Sequence, residues 1–222
     1  MRLSRIRGLF YAIWFLLSVA FVVFLMWAMT KHIHTIRRVW AKFQRFFAGY
    51  ELEIIGEIAD VNMIIINHKS MLDIIVMEEI YPKNLCWVAK KEIGDIPIIG
   101  KILKIPKMIP IDRQSPRAMV NLIKEAKDRV QNGRVIAIFP EGTRARGNRL
   151  LKFQSGAKVV AQKLNLSIQP VVIVGSEILD VKKFSFKKGK IKIVFLPVVD
   201  KSDEAWFENS RKLMQETLDF YR

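Results

Sequence analysis

The feature that most constrains this chain is an uncharged, apolar run near its amino terminus, from Gly8 to Thr30. As an α-helix, roughly 23 residues at about 1.5 Å each would extend about 34 Å, which is enough to cross a hydrocarbon core of about 30 Å. A cleaved signal peptide has a shorter apolar stretch, about 7–15 residues, followed by small residues. The run therefore predicts a membrane-embedded helix, and it leaves open whether that helix spans the bilayer or enters one leaflet.

The charge around this run favours a lipid surface as the partner. The chain has a formal net charge of +16, which would suit nucleic acid, an anionic membrane or an anionic substrate. The first fifty residues contain no Asp or Glu, but they contain eight basic residues: Arg2, Arg5, Arg7, Lys31, Arg37, Arg38, Lys42 and Arg45. Because a basic border around an apolar segment matches lipid better than DNA, we expect membrane lipids and no nucleic acid as partners.

The segment after the run predicts a second, amphipathic helix. One helical stripe is apolar and consists of Ile33, Ile36, Trp40, Phe43 and Phe47. The other side is largely basic and consists of His34, Arg37, Arg38, Lys42 and Arg45. Such a helix can lie in the headgroup layer, or its apolar stripe can pack on the rest of the protein. We therefore predict that residues 1–50 form a membrane-embedded, interfacial two-helix arm, which holds the body at the cytoplasmic side of the inner membrane.

The remaining residues, 51–222, predict a single α/β domain. Short β-rich runs alternate with helical patterns, and the predicted strands are 52–55, 62–66, 85–89, 107–111, 135–139, 168–174 and 191–196. Such alternation predicts a mostly parallel or mixed sheet of about seven strands, flanked by helices.

His68 differs from the other two histidines because it directly follows an apolar strand, in the sequence NHKSMLD. Catalytic groups in α/β proteins gather at the carboxyl ends of strands. Asp73, five residues on, would be about 140° away on a continuous helix. The two side chains can meet only if His68 lies on the turn before the helix, where the carboxylate would orient the imidazole as a base. Spacing alone also allows a turn histidine with an unrelated acid.

Three further strand ends carry cations. The loop FPEGTR follows the strand VIAIF and supplies Glu141, Gly142, Thr143 and Arg144. Its backbone amides and the guanidinium of Arg144 can bind a phosphate, while Glu141 would orient Arg144 or bind a hydroxyl. Other strands are followed by Arg113 in KMIPIDR and by Lys90 and Lys91 in VAKKE. The set suits an anionic substrate that is deprotonated, although the loop alone is also typical of an ordinary turn.

Four blocks in this order, NHKSMLD, KMIPIDR, FPEGTR and IQPVVIV, resemble the glycerolipid acyltransferase family. Within it, the likeness is greatest to the bacterial branch that acylates lysophosphatidic acid. The resemblance covers roughly residues 51–199, and the two amino-terminal helices also look like that branch's membrane motif. The block from His68 to Asp73 and FPEGTR are specific, whereas the other two blocks are looser. Pro110 stands where many relatives carry an aliphatic or aromatic residue.

The resemblance implies a function and roles for the residues that match. An acyl group would pass from acyl-CoA or acyl carrier protein to the 2-hydroxyl of lysophosphatidic acid, giving phosphatidic acid in phospholipid biosynthesis. His68 would be the general base and Asp73 would orient it. The acceptor phosphate would be held by Glu141, Gly142, Thr143 and Arg144, with help from Arg113. Lys90 would lie at the acyl site, where it would stabilise the oxyanion.

No cofactor is expected. The sequence has no P-loop, no dinucleotide-type glycine motif and no Cys/His metal cluster, so we predict no nucleotide, flavin, zinc or other metal. It has no G-x-S-x-G motif, and a thioester is already activated, so no covalent acyl-enzyme is required.

Three other functions stay open at this stage. The acceptor would be another lysolipid, such as a lyso-ornithine lipid or a different lysophospholipid; or His68 would activate water in a lipase-like hydrolase; or the chain would be a basic scaffold. A second basic stretch suits contact with lipid headgroups or with an acidic carrier protein. The alternative is that it forms an ordinary solvated hairpin. It contains Lys182, Lys183, Phe184, Phe186, Lys187, Lys188 and Lys190.

Overall fold

The computed structural model of the chain describes residues 2–180 and 185–222. Over these residues, the α-helices are α1 (Arg2–Ala28), α2 (Ile33–Ala48), α3 (Leu72–Ile80), α4 (Lys101–Lys104), α5 (Ala118–Gln131), α6 (Ser155–Lys163) and α7 (Trp206–Tyr221). The strands are β1 (Glu51–Ile55), β2 (Met63–Ile66), β3 (Leu85–Lys90), β4 (Ile109–Ile111), β5 (Val135–Ile138), β6 (Ile168–Val174), β7 (Leu179–Asp180), β8 (Ser185–Phe186) and β9 (Lys190–Phe195).

Seven of these strands form one mixed sheet in the order β1-β9-β6-β2-β5-β3-β4. All neighbours are parallel except β6 and β9. Strands β2 to β6 therefore run in the same direction, and their carboxyl ends meet at one edge of the sheet. The predicted α/β fold with a helix-flanked sheet of seven strands is confirmed. Strands β7 and β8, which are not among the seven predicted strands, form a small antiparallel pair in the stretch for which a hairpin was the alternative.

The position of each strand in the sheet follows from its sequence. The central strands β2, β5 and β6 are buried throughout, since helices cover both faces of a parallel sheet and such strands read as continuous apolar runs. Pro110 lies in β4, which is an edge strand. A proline cannot donate to the sheet ladder, so an edge is where it is tolerated.

Helix α1 contains a stretch, Ile6–Ala28, that is long and apolar enough to cross a membrane. One side of it packs inward, with Tyr11, Val19, Val22 and Met26 buried. Its other side leaves large apolar side chains exposed, among them Phe10, Leu17, Phe21 and Trp27.

Helix α2 buries a polar face and exposes an apolar one. Arg37, Ala41, Gln44 and Ala48 are buried, whereas Val39, Phe43, Phe46 and Phe47 are exposed. Part of the apolar stripe contacts α1, since the rings of Trp40 and Phe15 and those of Phe47 and Trp14 pack together. The basic face was expected to meet headgroups, but three of its arginines contact α3 instead: Arg37, Arg38 and Arg45.

The second basic stretch is only partly described, because Lys182, Lys183 and Phe184 lie outside the described residues. Of the rest, Phe186 is buried and stacks on Tyr11 of α1, with ring centroids 5.1 Å apart. Lys190 forms an ion pair with Glu53, at 2.8 Å. Phe186 is therefore a packing residue rather than part of a surface for headgroups.

Candidate active site

His68 and Asp73 meet at the edge where the parallel strands end. Nδ1 of His68 lies 2.9 Å from Oδ2 of Asp73. The geometry is the one that the spacing required, because His68 lies on the turn after β2 and Asp73 is in the first turn of α3. A carboxylate at Nδ1 favours the tautomer that carries its proton there, which leaves Nε2 free to accept a proton.

The carboxylate of Asp73 is held in place by the turn itself. Asp73 is fully buried, and its Oδ2 also accepts hydrogen bonds from the backbone amides of Lys69, at 2.7 Å, and Ser70, at 2.8 Å. These amides belong to the turn that carries His68. The same carboxylate therefore fixes both the imidazole and the backbone from which it projects.

Asn67 anchors the end of β2 to β6. Its amide nitrogen donates to the carbonyl of Ile173, at 2.9 Å, and its side-chain oxygen accepts from the amide of Ile173, at 2.7 Å. The pair of bonds lets β2 leave the sheet at His68 without losing its connection to β6. Sequence analysis gave Asn67 no role, and its position directly before the histidine was the available signal.

Glu141 joins the FPEGTR loop to His68. Its carboxylate is buried, with Oε1 accepting from the backbone amide of His68, at 2.9 Å, and Oε2 accepting from that of Leu151, at 2.7 Å. The amide of Ala145 in turn donates to the carbonyl of His68, at 2.8 Å. Burial raises the pKa of Glu141, although the two amides oppose that rise. Both carboxylate oxygens of Glu141 thus accept from backbone amides, and its expected role of orienting Arg144 or binding a hydroxyl stays a prediction.

Arg113 and the FPEGTR loop come together as the strand ends predicted. The guanidinium of Arg113 donates to the carbonyl of Gly142. Gly142 has a φ of +71°, and a Cβ there would lie 3.4 Å from both terminal nitrogens of Arg113. Glycine is thus favoured by the turn and by the close approach of the arginine. Thr143, Arg144 and Arg113 are exposed at this edge, where a solvent-borne anion can reach them.

The two lysines that follow the predicted third strand both form ion pairs with nearby acids. Lys90 is exposed at the end of β3 and pairs with Glu92, at 3.1 Å, while Lys91 pairs with Asp112, at 3.4 Å. Neither lysine has a recorded contact with His68 over residues 2–180 and 185–222, so the structure does not bring them into the His68–Asp73 pair.

Lys69, by contrast, was missed. Its side chain is buried, and Nζ lies 2.9 Å from the carbonyl of Gly147 and 3.0 Å from Oε1 of Glu177. It therefore ties the loop after β5 to the turn after β6. In the part of the chain that the structure describes, no group of three His, Cys, Asp or Glu residues is arranged to hold a metal ion.

A helix-covered, mostly parallel sheet with a paired imidazole and carboxylate at the carboxyl ends of its parallel strands defines the general class, an α/β enzyme equipped for acid–base chemistry. Comparison with known proteins makes that class specific. Residues 59–174 match the acyltransferase family, and the chain belongs to this family. It is therefore an acyltransferase, and the resemblance to glycerolipid acyltransferases is confirmed.

Two relatives and one solved structure illustrate the relationship. The 1-acyl-sn-glycerol-3-phosphate acyltransferase of Helicobacter pylori is 40% identical over 172 residues, which cover 75% of this chain and 73% of the relative. A chloroplast enzyme of the same name from Arabidopsis thaliana is 29% identical over 189 residues, and the match spans 52% of that longer chain. The crystal structure of the 1-acyl-sn-glycerophosphate acyltransferase PlsC from Thermotoga maritima shares the fold, with a TM-score of 0.81, 19% identity, and coverage of 98% of this chain and 95% of that one.

Proposed function

We propose that this acyltransferase transfers a fatty acyl group from an acyl thioester to the 2-hydroxyl of lysophosphatidic acid, giving phosphatidic acid. The donor would be acyl-CoA or acyl carrier protein. The single observation that carries the proposal is the contact between His68 and Asp73 beside the cationic FPEGTR loop. The names of the relatives from Helicobacter pylori and Arabidopsis thaliana support lysophosphatidic acid as the acceptor.

In the proposed reaction, Nε2 of His68 removes the proton of the acceptor hydroxyl as its oxygen attacks the thioester carbonyl. Asp73 stabilises the imidazolium through Nδ1. When the tetrahedral intermediate collapses, the carbon–sulfur bond breaks and the new ester remains. The leaving thiolate takes the proton from His68, so the enzyme returns to its starting state. No covalent acyl-enzyme is needed, because a thioester reacts directly with an alkoxide-like oxygen.

Phosphate binding is assigned to the exposed cations at the sheet edge. Arg113 and Arg144 would contact the phosphate oxygens, since a guanidinium can donate two parallel hydrogen bonds to them. Gly142 and Thr143 would offer backbone amides of the same loop. Glu141 would act at one remove, by fixing the loop to His68 through the two backbone amides that it accepts from.

The oxyanion would be stabilised by a backbone amide or by Lys90. Lys90 would first have to exchange its contact with Glu92 for the developing charge, because it forms an ion pair with that carboxylate. No nucleotide, flavin or metal takes part in this mechanism.

We further propose a division of labour along the chain. Residues 1–50 would be the membrane-embedded arm and residues 51–222 the catalytic domain, at the cytoplasmic side of the inner membrane. The exposed apolar faces of α1 and α2 support this division, as do the basic residues that follow α1. Both acceptor and product are lipids, so attachment to the bilayer would let an acyl chain reach His68 without crossing water.

The test is to measure phosphatidic acid formation by the detergent-solubilised enzyme with both thioester donors. Lysophosphatidic acid is compared with a monoacylglycerol that lacks the phosphate. We expect activity only with the phosphorylated acceptor. Arg144→Gln should raise the KM for lysophosphatidic acid by about 10- to 100-fold, because a hydrogen bond to a charged group contributes about 1.5–3 kcal/mol. Lys127→Gln, an exposed cation on α5, is the matched control.

Equal rates with both acceptors would refute a phosphate site and direct the search to lyso-ornithine lipid and other lysolipids. Release of free fatty acid without any acceptor would identify a hydrolase instead.

A further inference from the structure

We propose that Trp87 and Glu78 are positioning residues for His68, linked through Arg37 to the amino-terminal arm. The inference rests on the proposed role of His68 as the base. It is carried by a continuous series of contacts from α2 to the imidazole, in which every residue except Phe139 and His68 is buried.

The series begins on the face of the imidazole ring. The hydrogen bond that Nδ1–H of His68 donates to Asp73 holds one nitrogen, but a single hydrogen bond leaves the tilt of the ring free. The ring of Phe139 lies almost parallel to that of His68, with centroids 3.8 Å apart and an angle of 14°. Phe139 therefore sets the plane in which Nε2 points at the acceptor.

Trp87 supports Phe139 from the other side. The two rings are stacked, with centroids 5.3 Å apart and an angle of 22°. His68 lies just after β2, Phe139 directly follows β5, and Trp87 lies within β3. These three strands are neighbours in the sheet. The stack thus crosses three neighbouring strands of the sheet.

Glu78 fixes the orientation of the indole. The Nε1–H group of Trp87 donates to Oε1 of Glu78, at 2.6 Å. A buried carboxylate needs a compensating charge, and Arg37 supplies it by donating to the same oxygen. Arg37 also donates to the carbonyl of Leu85, at 3.1 Å, and to Oδ1 of Asn84, at 3.1 Å.

Anchoring the arm does not by itself require this arrangement. Buried ion pairs contribute little net stability compared with well-packed apolar residues, so docking alone would be served as well by a hydrophobic contact. A neighbouring pair provides the comparison: Arg45 of α2 contacts Glu79 of α3, at 2.8 Å. The Arg45–Glu79 pair thus only joins α2 to α3, whereas the Arg37–Glu78 pair also contacts Trp87 and so leads to His68.

The experiment uses the full chain in detergent micelles. Trp87→Leu removes the stacked ring, and Trp87→Phe keeps a ring but removes the donor to Glu78. We expect Trp87→Leu to lower kcat by on the order of 10- to 100-fold with little change in the KM for lysophosphatidic acid, since misplacement of a reacting group by about 1 Å has effects of this size. Trp87→Phe should recover much of the loss. Arg45→Gln is the matched control and should leave kcat unchanged.

A readout independent of activity separates this inference from the proposed function. The chain contains three histidines, so the ring nitrogens of His68 can be assigned by NMR with His68→Ala as reference. The wild-type enzyme should show a single tautomer protonated at Nδ1, and Trp87→Leu a mixture. A changed tautomer ratio in an enzyme that does not acylate lysophosphatidic acid would uphold positioning and refute the proposed function. Wild-type kcat and tautomer in folded Trp87→Leu, or an equal loss in Arg45→Gln, would overturn the inference.

Discussion

Helices α2 and α5 are both amphipathic, but they bury opposite faces. Helix α5 buries Leu122 and Ala126 against the sheet and turns its lysines to solvent. Helix α2 buries Arg37 and Gln44 and turns three phenylalanines outward. The comparison teaches that an amphipathic pattern gives the two faces of a helix but not which one meets the protein. The outward apolar face of α2 is the kind of face that a bilayer would stabilise.

The comparison predicts that the largest stability effect in α2 comes from a charged residue. Arg37 is 3% exposed, and Arg37→Ala would leave Glu78 as an unpaired buried carboxylate. We expect the free energy of unfolding in detergent to fall by about 3–5 kcal/mol. The double variant Arg37→Met with Glu78→Gln should recover most of that loss, because the amide still accepts from Trp87.

Arg45→Ala is the control for this experiment, since the Arg45 side chain is 42% exposed and should contribute less than about 1 kcal/mol. A loss below about 1 kcal/mol in Arg37→Ala would mean that the polar face of α2 is not the face that stabilises the fold.

Truncating an apolar residue should reduce the free energy of unfolding more in α5 than in α2. Leu122→Ala in α5 removes a buried side chain and should cost about 2–5 kcal/mol of unfolding free energy. Phe46→Ala in α2 removes a side chain that is 78% exposed and should cost less than about 0.5 kcal/mol in detergent. Denaturant unfolding of both variants makes the measurement, and equal costs would contradict the inverted packing of α2.

The exposed faces can be compared directly in lipid. Phe46→Cys in α2 and Val120→Cys in α5 replace apolar side chains of similar exposure, 78% and 65%. Cys86 is buried and burial raises its pKa, so a thiol-reactive fluorophore should label the introduced cysteines selectively. In liposomes, we expect lipid-attached quenchers to reach the label at 46 and iodide to reach the label at 120. If iodide alone quenched both labels, the result would contradict the expectation that α2 contacts the bilayer.

Two buried carboxylates extend the comparison to the sheet edge. Glu78 is compensated by Arg37, whereas Glu141 is held by backbone amides and has a raised pKa because of burial. A raised carboxyl pKa means that the folded state binds the proton more tightly than the unfolded state. The contribution of Glu141 to stability is therefore greatest below the ordinary pKa of about 4.5 and is lost as the pH rises through its raised value.

Thermal unfolding from pH 4 to pH 8 tests this sign. Glu141→Gln should be less stable at low pH, because one backbone amide loses its acceptor, but its stability should decline less than that of the wild type as the pH rises. The effect is about 1.4 kcal/mol for each unit of the pKa difference. A steeper decline in the variant would contradict the assignment of the raised pKa to Glu141.

Much of the fold could be predicted from the sequence, because strands and helices depend on local patterns of residues. All seven predicted strands are present, and the order of strand ends brought His68, Arg113 and the FPEGTR loop to one edge. Contacts that depend on how distant segments pack together could not be predicted from the sequence. The backbone bond from His68 to Glu141 joins residues 73 positions apart, and nothing in either local sequence specifies it.

The same reason explains why the sequence did not indicate the partners of two charged residues, Lys90 and Glu141. Lys90 was given its role from the resemblance, and Glu141 from its type and its position after a strand, but a side chain's partner depends on its rotamer and its neighbours in space. Lys90 forms an ion pair with Glu92, and the carboxylate of Glu141 accepts hydrogen bonds from two backbone amides. Lys69 and Trp87 looked like ordinary residues in the sequence because their contacts come from other strands and loops.

The most direct test of the central claim is the rate of acyl transfer to lysophosphatidic acid by His68→Ala, compared with the wild type and with His32→Ala. His32 is exposed in the turn between α1 and α2, and its loss should leave the rate unchanged. If His68 is the general base, its removal should lower the rate by about 10²- to 10⁴-fold while the unfolding temperature stays close to that of the wild type. A folded His68→Ala enzyme that retains the wild-type rate would contradict the mechanism.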